Sequence, residues 1–94
     1  MSSASLEQER TVRISNKLGL HARPAAEFVK LASRFRSEIR VRKDDVEVNG
    51  KSIMGVMMLA AECGSSITII ASGDDAEAAL AELAALVDNK FGED

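Results

Sequence analysis

The chain has 94 residues, the length of one domain, and such a chain buries roughly 60–65% of its unfolded surface. Twelve Lys and Arg against fifteen Asp and Glu give a net charge of −3, which argues against a nucleic-acid partner. Three Phe with no Trp or Tyr leave no stacking platform for single strands and require a core of Ala, Val, Ile, Leu and Met. The single cysteine, Cys63, has no partner for an internal disulfide and fits a reducing compartment.

Residues 1–9 are rich in Ser, Glu and Gln, show no period, and lack the apolar run of a signal peptide. They are expected to form a flexible leader ahead of one domain spanning residues 10–94. With no apolar stretch long enough to span a bilayer, the expected location is the cytoplasm, without membrane insertion.

Val12 and Ile14 alternate with Arg13 and Ser15, predicting a half-buried strand over residues 10–16. Gly19 marks the turn that follows. A helix then starts around His21, since Ala22, Ala25, Ala26, Val29 and Ala32 recur at three- and four-residue spacing, extended by Phe28 and Phe35. Pro24 fits only the first turn, where its missing N–H costs nothing.

Ile39 and Val41 alternate with Arg40 and Arg42 in a second strand, Glu38–Lys43. Asp44 and Asp45 form the turn, and Val46 and Val48 a short third strand ended by Asn49 and Gly50. Ser52 heads a short helix over residues 52–61, closed by Gly64. The β-branched run in Ser66–Ser72 reads as a central strand. Gly73 breaks it, and Asp74 and Asp75 favour the start of a last helix reaching about Lys90. The order βαββαβα predicts an α+β fold: a four-stranded, mainly antiparallel sheet with three helices on one face.

His21 is the only histidine, and the imidazole is the one ordinary side chain whose titration falls near neutral pH. A lone histidine at a helix start is commonly only a cap or a surface residue. Its setting offers another reading. The helix start supplies unpaired N–H groups and the positive dipole end, and Arg23 adds a guanidinium whose fork matches phosphate oxygens. A nucleophilic ring at an anion site is suited to carrying a labile phosphoryl group. No Cys/His spacing resembles a metal site. Cys63 reads as a small structural apolar residue, and Arg34, Arg36, Arg40, Arg42 and Lys43 as a mostly solvated outer face.

The run N-K-L-G-L-H-A-R-P-A-A over residues 16–26 resembles the active-site motif of the HPr family, phosphocarriers of the bacterial phosphotransferase system. The run N-G-K-S-I-M-G-V-M over residues 49–57 resembles the regulatory serine segment of that family. The likeness covers residues 10–91 and implies the open-faced β-sandwich of the family. It implies that His21 takes a phosphoryl group at Nδ1 from phosphorylated enzyme I and passes it to an enzyme IIA-type acceptor. Arg23 would steady the phosphate and Pro24 would set the helix start.

No cofactor or metal is implied, and the protein would be a stoichiometric relay, not an enzyme. A monomer suits such a shuttle. Ser52, sufficiently explained as a helix cap, would also be the target of an ATP-dependent HPr kinase/phosphorylase. Leu20, Lys30, Lys51, Ile53, Met54 and Met57 would form the partner interface, with Met residues making adaptable contacts. Met58 departs from the Ser of many sugar-type members, so a regulatory-branch carrier, nitrogen-type or kinase-regulated, with no sugar transport role stays open. A ligand- or RNA-binding module on the same layout would call for outward aromatics, which are missing. An inactive regulatory relative would be expected to lack the histidine.

Overall fold

The computed structural model describes residues 7–93. The elements run β1 (Glu7–Arg13), α1 (Ala22–Ala32), β2 (Glu38–Lys43), β3 (Val46–Asn49), α2 (Ile53–Met58), β4 (Ser66–Ser72) and α3 (Ala76–Asp88), followed by a 3₁₀ turn, Lys90–Gly92. The sheet order is β1-β4-β2-β3, and every pairing is antiparallel. The α+β architecture expected from the periodicities is therefore present.

The period of two decides what each strand buries. Ile39 and Val41 of β2, and Ile67, Ile69 and Ala71 of β4, turn toward the helices and are at most 1% exposed. They meet Ala25, Phe28 and Ala32 of α1 and Ala79, Leu80, Leu83 and Val87 of α3. Helix α3 packs on β1 and β4, α1 on α3, and α2 bridges α1 and β3. Phe28 is the largest fully buried side chain.

The open face of the sheet is held by charge. Arg40 pairs with Glu47 at 2.9 Å and reaches over β4 to Glu7 at 3.1 Å, while Arg42 approaches Glu9 at 3.7 Å. Ile70 lies between Glu9 and Arg40 in the register and is buried outside the helix-side core, beneath these side chains. Arginine stems can cover apolar surface in this way while their heads stay wet.

Three expected boundaries move. Strand β1 begins at Glu7, so residues 7–9 pair with β4 instead of belonging to a leader; residues 1–6 of that expected leader lie outside the described residues. The strand ends at Arg13, not at residue 16, yet Ile14 stays attached through its N–H to the Ser65 carbonyl at 2.8 Å. Helix α2 stops at Met58, because Ala60 adopts φ +51°, a left-handed value that cannot continue a helix.

Candidate functional site

The segment between β1 and α1 is built around Gly19. Its φ of +69° is a left-handed value that costs glycine little. A Cβ there would strike the Ala61 carbonyl oxygen and reach 3.0 Å from the Glu62 Cα. The glycine carbonyl accepts the His21 N–H at 2.9 Å and an Asn16 Nδ2 hydrogen at 2.8 Å. Leu20 N–H donates to the Ala61 carbonyl at 2.9 Å, tying this turn to the end of α2. The turn thus presents His21 as the N-cap residue of α1.

His21 keeps extended backbone angles and makes no side-chain cap bond. The N–H groups of Ala22 and Arg23 consequently have no intrahelical acceptor, and no acidic residue occupies the first turn. Pro24, third in the helix, has no N–H to satisfy. A partial positive charge of about half an elementary unit gathers at such an end. Arg23 is exposed beside it.

The ring is held from the far end of the chain. Nε2 of His21 lies 3.1 Å from Glu93 Oε1, and the same oxygen accepts Asn16 Nδ2 at 3.0 Å. The hydrogen bond from His21 and then that from Asn16 hold the Glu93 carboxyl below the usual carboxylate range, with the charge of Arg23 adding to the effect. An ionised carboxylate has no proton to give, so Nε2–H is the donor. Among the described residues Nδ1 has no hydrogen-bond partner, and in a neutral ring protonated at Nε2 it is the nitrogen that carries the lone pair.

Asn16 is fully buried, and both its amide hydrogens go to acceptors, which fixes the orientation of the amide; Oδ1 has no partner among the described residues. Phe91, buried at 6% exposure, anchors the 3₁₀ turn that delivers Glu93.

Neither Asn16 nor Glu93 was expected to take part. Asn16 opened the recognised motif without a role, and Glu93 lies 72 residues from His21, where no spacing pattern could join them.

The second expected site is a helix cap. Ser52 Oγ accepts the Gly55 N–H at 3.0 Å, and the Ser52 carbonyl accepts the Val56 N–H at 2.9 Å. Only Val56 is buried within α2, which leaves Ile53, Met54, Met57 and Met58 exposed at 43%, 74%, 41% and 73%. Leu18, unnoticed as a surface residue, is 71% exposed in the turn before His21. Lys30 is exposed on α1.

Two of the residues expected at the interface are less exposed than the rest. Leu20 is only 4% exposed and belongs to the core, because its backbone bond to Ala61 turns the side chain inward. Lys51 is half-buried with Nζ donating to the Phe35 carbonyl at 2.7 Å, so its ammonium braces the chain after α1. Cys63 is exposed and not the packed apolar residue anticipated.

Among the described residues no three His, Cys, Asp or Glu side chains cluster as metal ligands would, and no helix is long and apolar enough to cross a membrane. One surface groove is lined by Glu27, Lys30, Leu31, Arg34 and Leu86, another by residues of β2 and β3 with Lys51; His21 lines neither. The His21 side chain is 36% exposed.

A family model described as "PTS HPr component phosphorylation site" matches residues 8–89. The chain is 51% identical to the phosphocarrier protein HPr of Treponema pallidum, over 90% of this chain and 97% of that protein. It is 49% identical to the HPr-like protein Crh of Bacillus subtilis, over 84% and 93% of the two chains. It is 46% identical to the phosphocarrier protein NPr of Shewanella violacea, over 90% and 93%. The crystal structure of an HPr from Thermoanaerobacter tengcongensis superposes with a TM-score of 0.89 at 52% identity, covering 93% of this chain and 98% of that one. Residue pattern, sheet order and these likenesses agree: the chain belongs to the HPr family of phosphocarrier proteins.

Proposed function

We propose that this protein is a stoichiometric phosphoryl relay in which His21 is the acceptor. The observation that carries this reading is the position of the imidazole as N-cap residue of α1, beside unpaired first-turn N–H groups and Arg23. Nδ1 attacks the phosphorus of a phosphohistidine on enzyme I. The new N–P bond forms as the donor's N–P bond breaks, and that electron pair stays with the donor nitrogen. The amide groups and the dipole of α1, with Arg23, hold the phosphate oxygens until the step repeats toward an enzyme IIA-type acceptor. Pro24 keeps the helix start rigid. No cofactor enters the chemistry, and the cytoplasm is where such partners meet.

Exposed Ile53, Met54 and Met57, with Arg23 and Lys30, form the docking face of this relay. A flexible thioether surface suits partners of different shape. Ser52 is the regulatory position: phosphorylation by an HPr kinase/phosphorylase adds close to two negative charges beside the surface that meets a phosphorylated donor. Similarity to Crh and NPr proteins nearly equals that to HPr proteins, which favours a second reading, a regulatory-branch carrier without a role in sugar transport. Transfer assays against sugar-specific and nitrogen-type acceptors separate the two.

The central test is incubation with enzyme I and phosphoenolpyruvate. One acid-labile phosphate per chain is expected, and none for His21→Ala; undiminished labelling of that variant would refute the assignment. An HPr kinase and ATP should label Ser52 and leave Ser52→Ala unlabelled. Solved relatives include an HPr dimer and a Crh dimer with a swapped domain, so the shuttle form, proposed to be a monomer, is checked by sedimentation.

A further inference from the structure

We propose that Glu93 is a positioning residue for phosphoryl transfer, accepting the Nε2 proton of His21 so that Nδ1 is the nitrogen kept free to react. The inference rests on His21 being the phosphoryl acceptor, and it adds a residue outside both recognised motifs. An imidazole has two interchangeable neutral forms, and only one leaves Nδ1 unprotonated. An acceptor fixed at Nε2 selects that form, and the carboxylate is at 3.1 Å.

A single hydrogen bond from a mobile terminal side chain would have little value. Glu93 is not mobile in that sense, because three features converge on it. Oε1 also accepts from the fully buried Asn16 amide, whose second hydrogen is spent on the Gly19 carbonyl. The backbone carrying Glu93 is pinned by the buried Phe91. The Glu93 N–H donates to the Lys90 carbonyl at 2.9 Å, closing the turn. The acceptor is thus preorganised relative to the same Gly19 turn that presents His21.

The step balances simply. Nδ1 supplies the electron pair for the new N–P bond, the donor nitrogen keeps the pair of the broken one, and the Nε2 proton stays on the ring throughout. The ring becomes cationic as the bond forms, and the adjacent carboxylate faces that charge through the shared proton. Glu93 needs no proton transfer of its own and touches no phosphorus; it acts through His21.

The test uses the full chain, in which a single histidine makes ring signals unambiguous. Nitrogen-15 NMR of the wild type should show Nε2 protonated and Nδ1 bare. In Glu93→Ala the Nδ1–H form should rise about fivefold, while Glu93→Gln, which keeps an accepting oxygen, should stay close to wild type. Phosphorylation by phosphorylated enzyme I should slow about three- to tenfold in Glu93→Ala and be largely restored in Glu93→Gln.

Ring signals in Glu93→Ala that overlay the wild type overturn the proposal, as does an altered ring with an unaltered rate. If the wild type itself accepts no phosphate, the carrier reading fails, and the NMR comparison still reports separately on whether Glu93 holds the ring. Coincident thermal melts of all three proteins establish that the fold is unchanged.

Discussion

Gly19 is packed against the carbonyl of Ala61 so closely that no side chain fits between them, and its φ of +69° suits no other residue well. This contact joins the turn before His21 to the end of α2, and the Leu20–Ala61 hydrogen bond closes it. Gly19→Ala should therefore cost about 1–3 kcal/mol through left-handed strain and overpacking. Because the Gly19 carbonyl also receives the His21 N–H, the same change should slow phosphoryl acceptance. Chemical denaturation and a phosphorylation time course measure the two effects; a variant with wild-type stability would contradict the contact.

The cap and the regulatory role of Ser52 can be pulled apart. Ser52→Ala leaves the Gly55 N–H without its 3.0 Å acceptor and should lower stability by about 1 kcal/mol, with phosphorylation of His21 proceeding at the wild-type rate. Ser52→Asp keeps an accepting oxygen and complements the helix end, so its stability should stay within about 0.5 kcal/mol of wild type. Its negative charge should nevertheless slow acceptance about three- to tenfold at low salt, with the gap narrowing as salt rises. A salt-independent rate would argue against charge as the cause.

Phe91 links the core to the site. It adopts φ +56° between Lys90 at +57° and Gly92 at +79°, a run of left-handed residues that only a buried ring could repay. Phe91→Ala should lose about 2–4 kcal/mol on truncation of that ring. It should also free Glu93, so the His21 ring signals of this variant are expected to follow those of Glu93→Ala. Unshifted ring signals would mean that the 3₁₀ turn is held by something other than Phe91.

What could be read in advance follows from how far each signal reaches along the chain. Alternation in Ile39–Val41 and the β-branched run around Ile69 report a sheet because period two is local. Pro24 marked the helix start for the same reason. Ala60 could not be read as a helix end, since alanine is the best helix former and nothing local reveals φ +51°. Leu20 looked like a surface residue within a recognised motif until its backbone bond to Ala61 turned it inward. The contact of Glu93 with Asn16 spans 77 residues and depends on the whole domain being assembled, so no spacing rule anticipates it.

Asp75 was expected to favour the start of the last helix, and it stands at that N-cap position with its carbonyl accepting the Ala79 N–H at 2.9 Å but without a side-chain bond to the helix. Its carboxylate instead accepts the Arg36 N–H at 2.8 Å, the Ser37 N–H at 3.0 Å and the Ser37 hydroxyl, clamping the entry to β2. The Ser37 hydroxyl and then the Arg36 N–H hold this carboxyl below its ordinary range. A depressed carboxyl means that the unfolded chain binds the proton more readily, so stability rises with pH through the window. The contribution of Asp75 is fully present above the unfolded value of about 4 and is lost as pH falls through the lower folded value. Denaturant titrations from pH 6 downward should show wild type losing stability more steeply than Asp75→Asn, whose side chain cannot titrate. Glu93 shifts in the same direction and leaves a residual slope in Asp75→Asn, which the double variant with Glu93→Gln should flatten further. Parallel curves for wild type and Asp75→Asn would show that the clamp on Ser37 does not depend on charge.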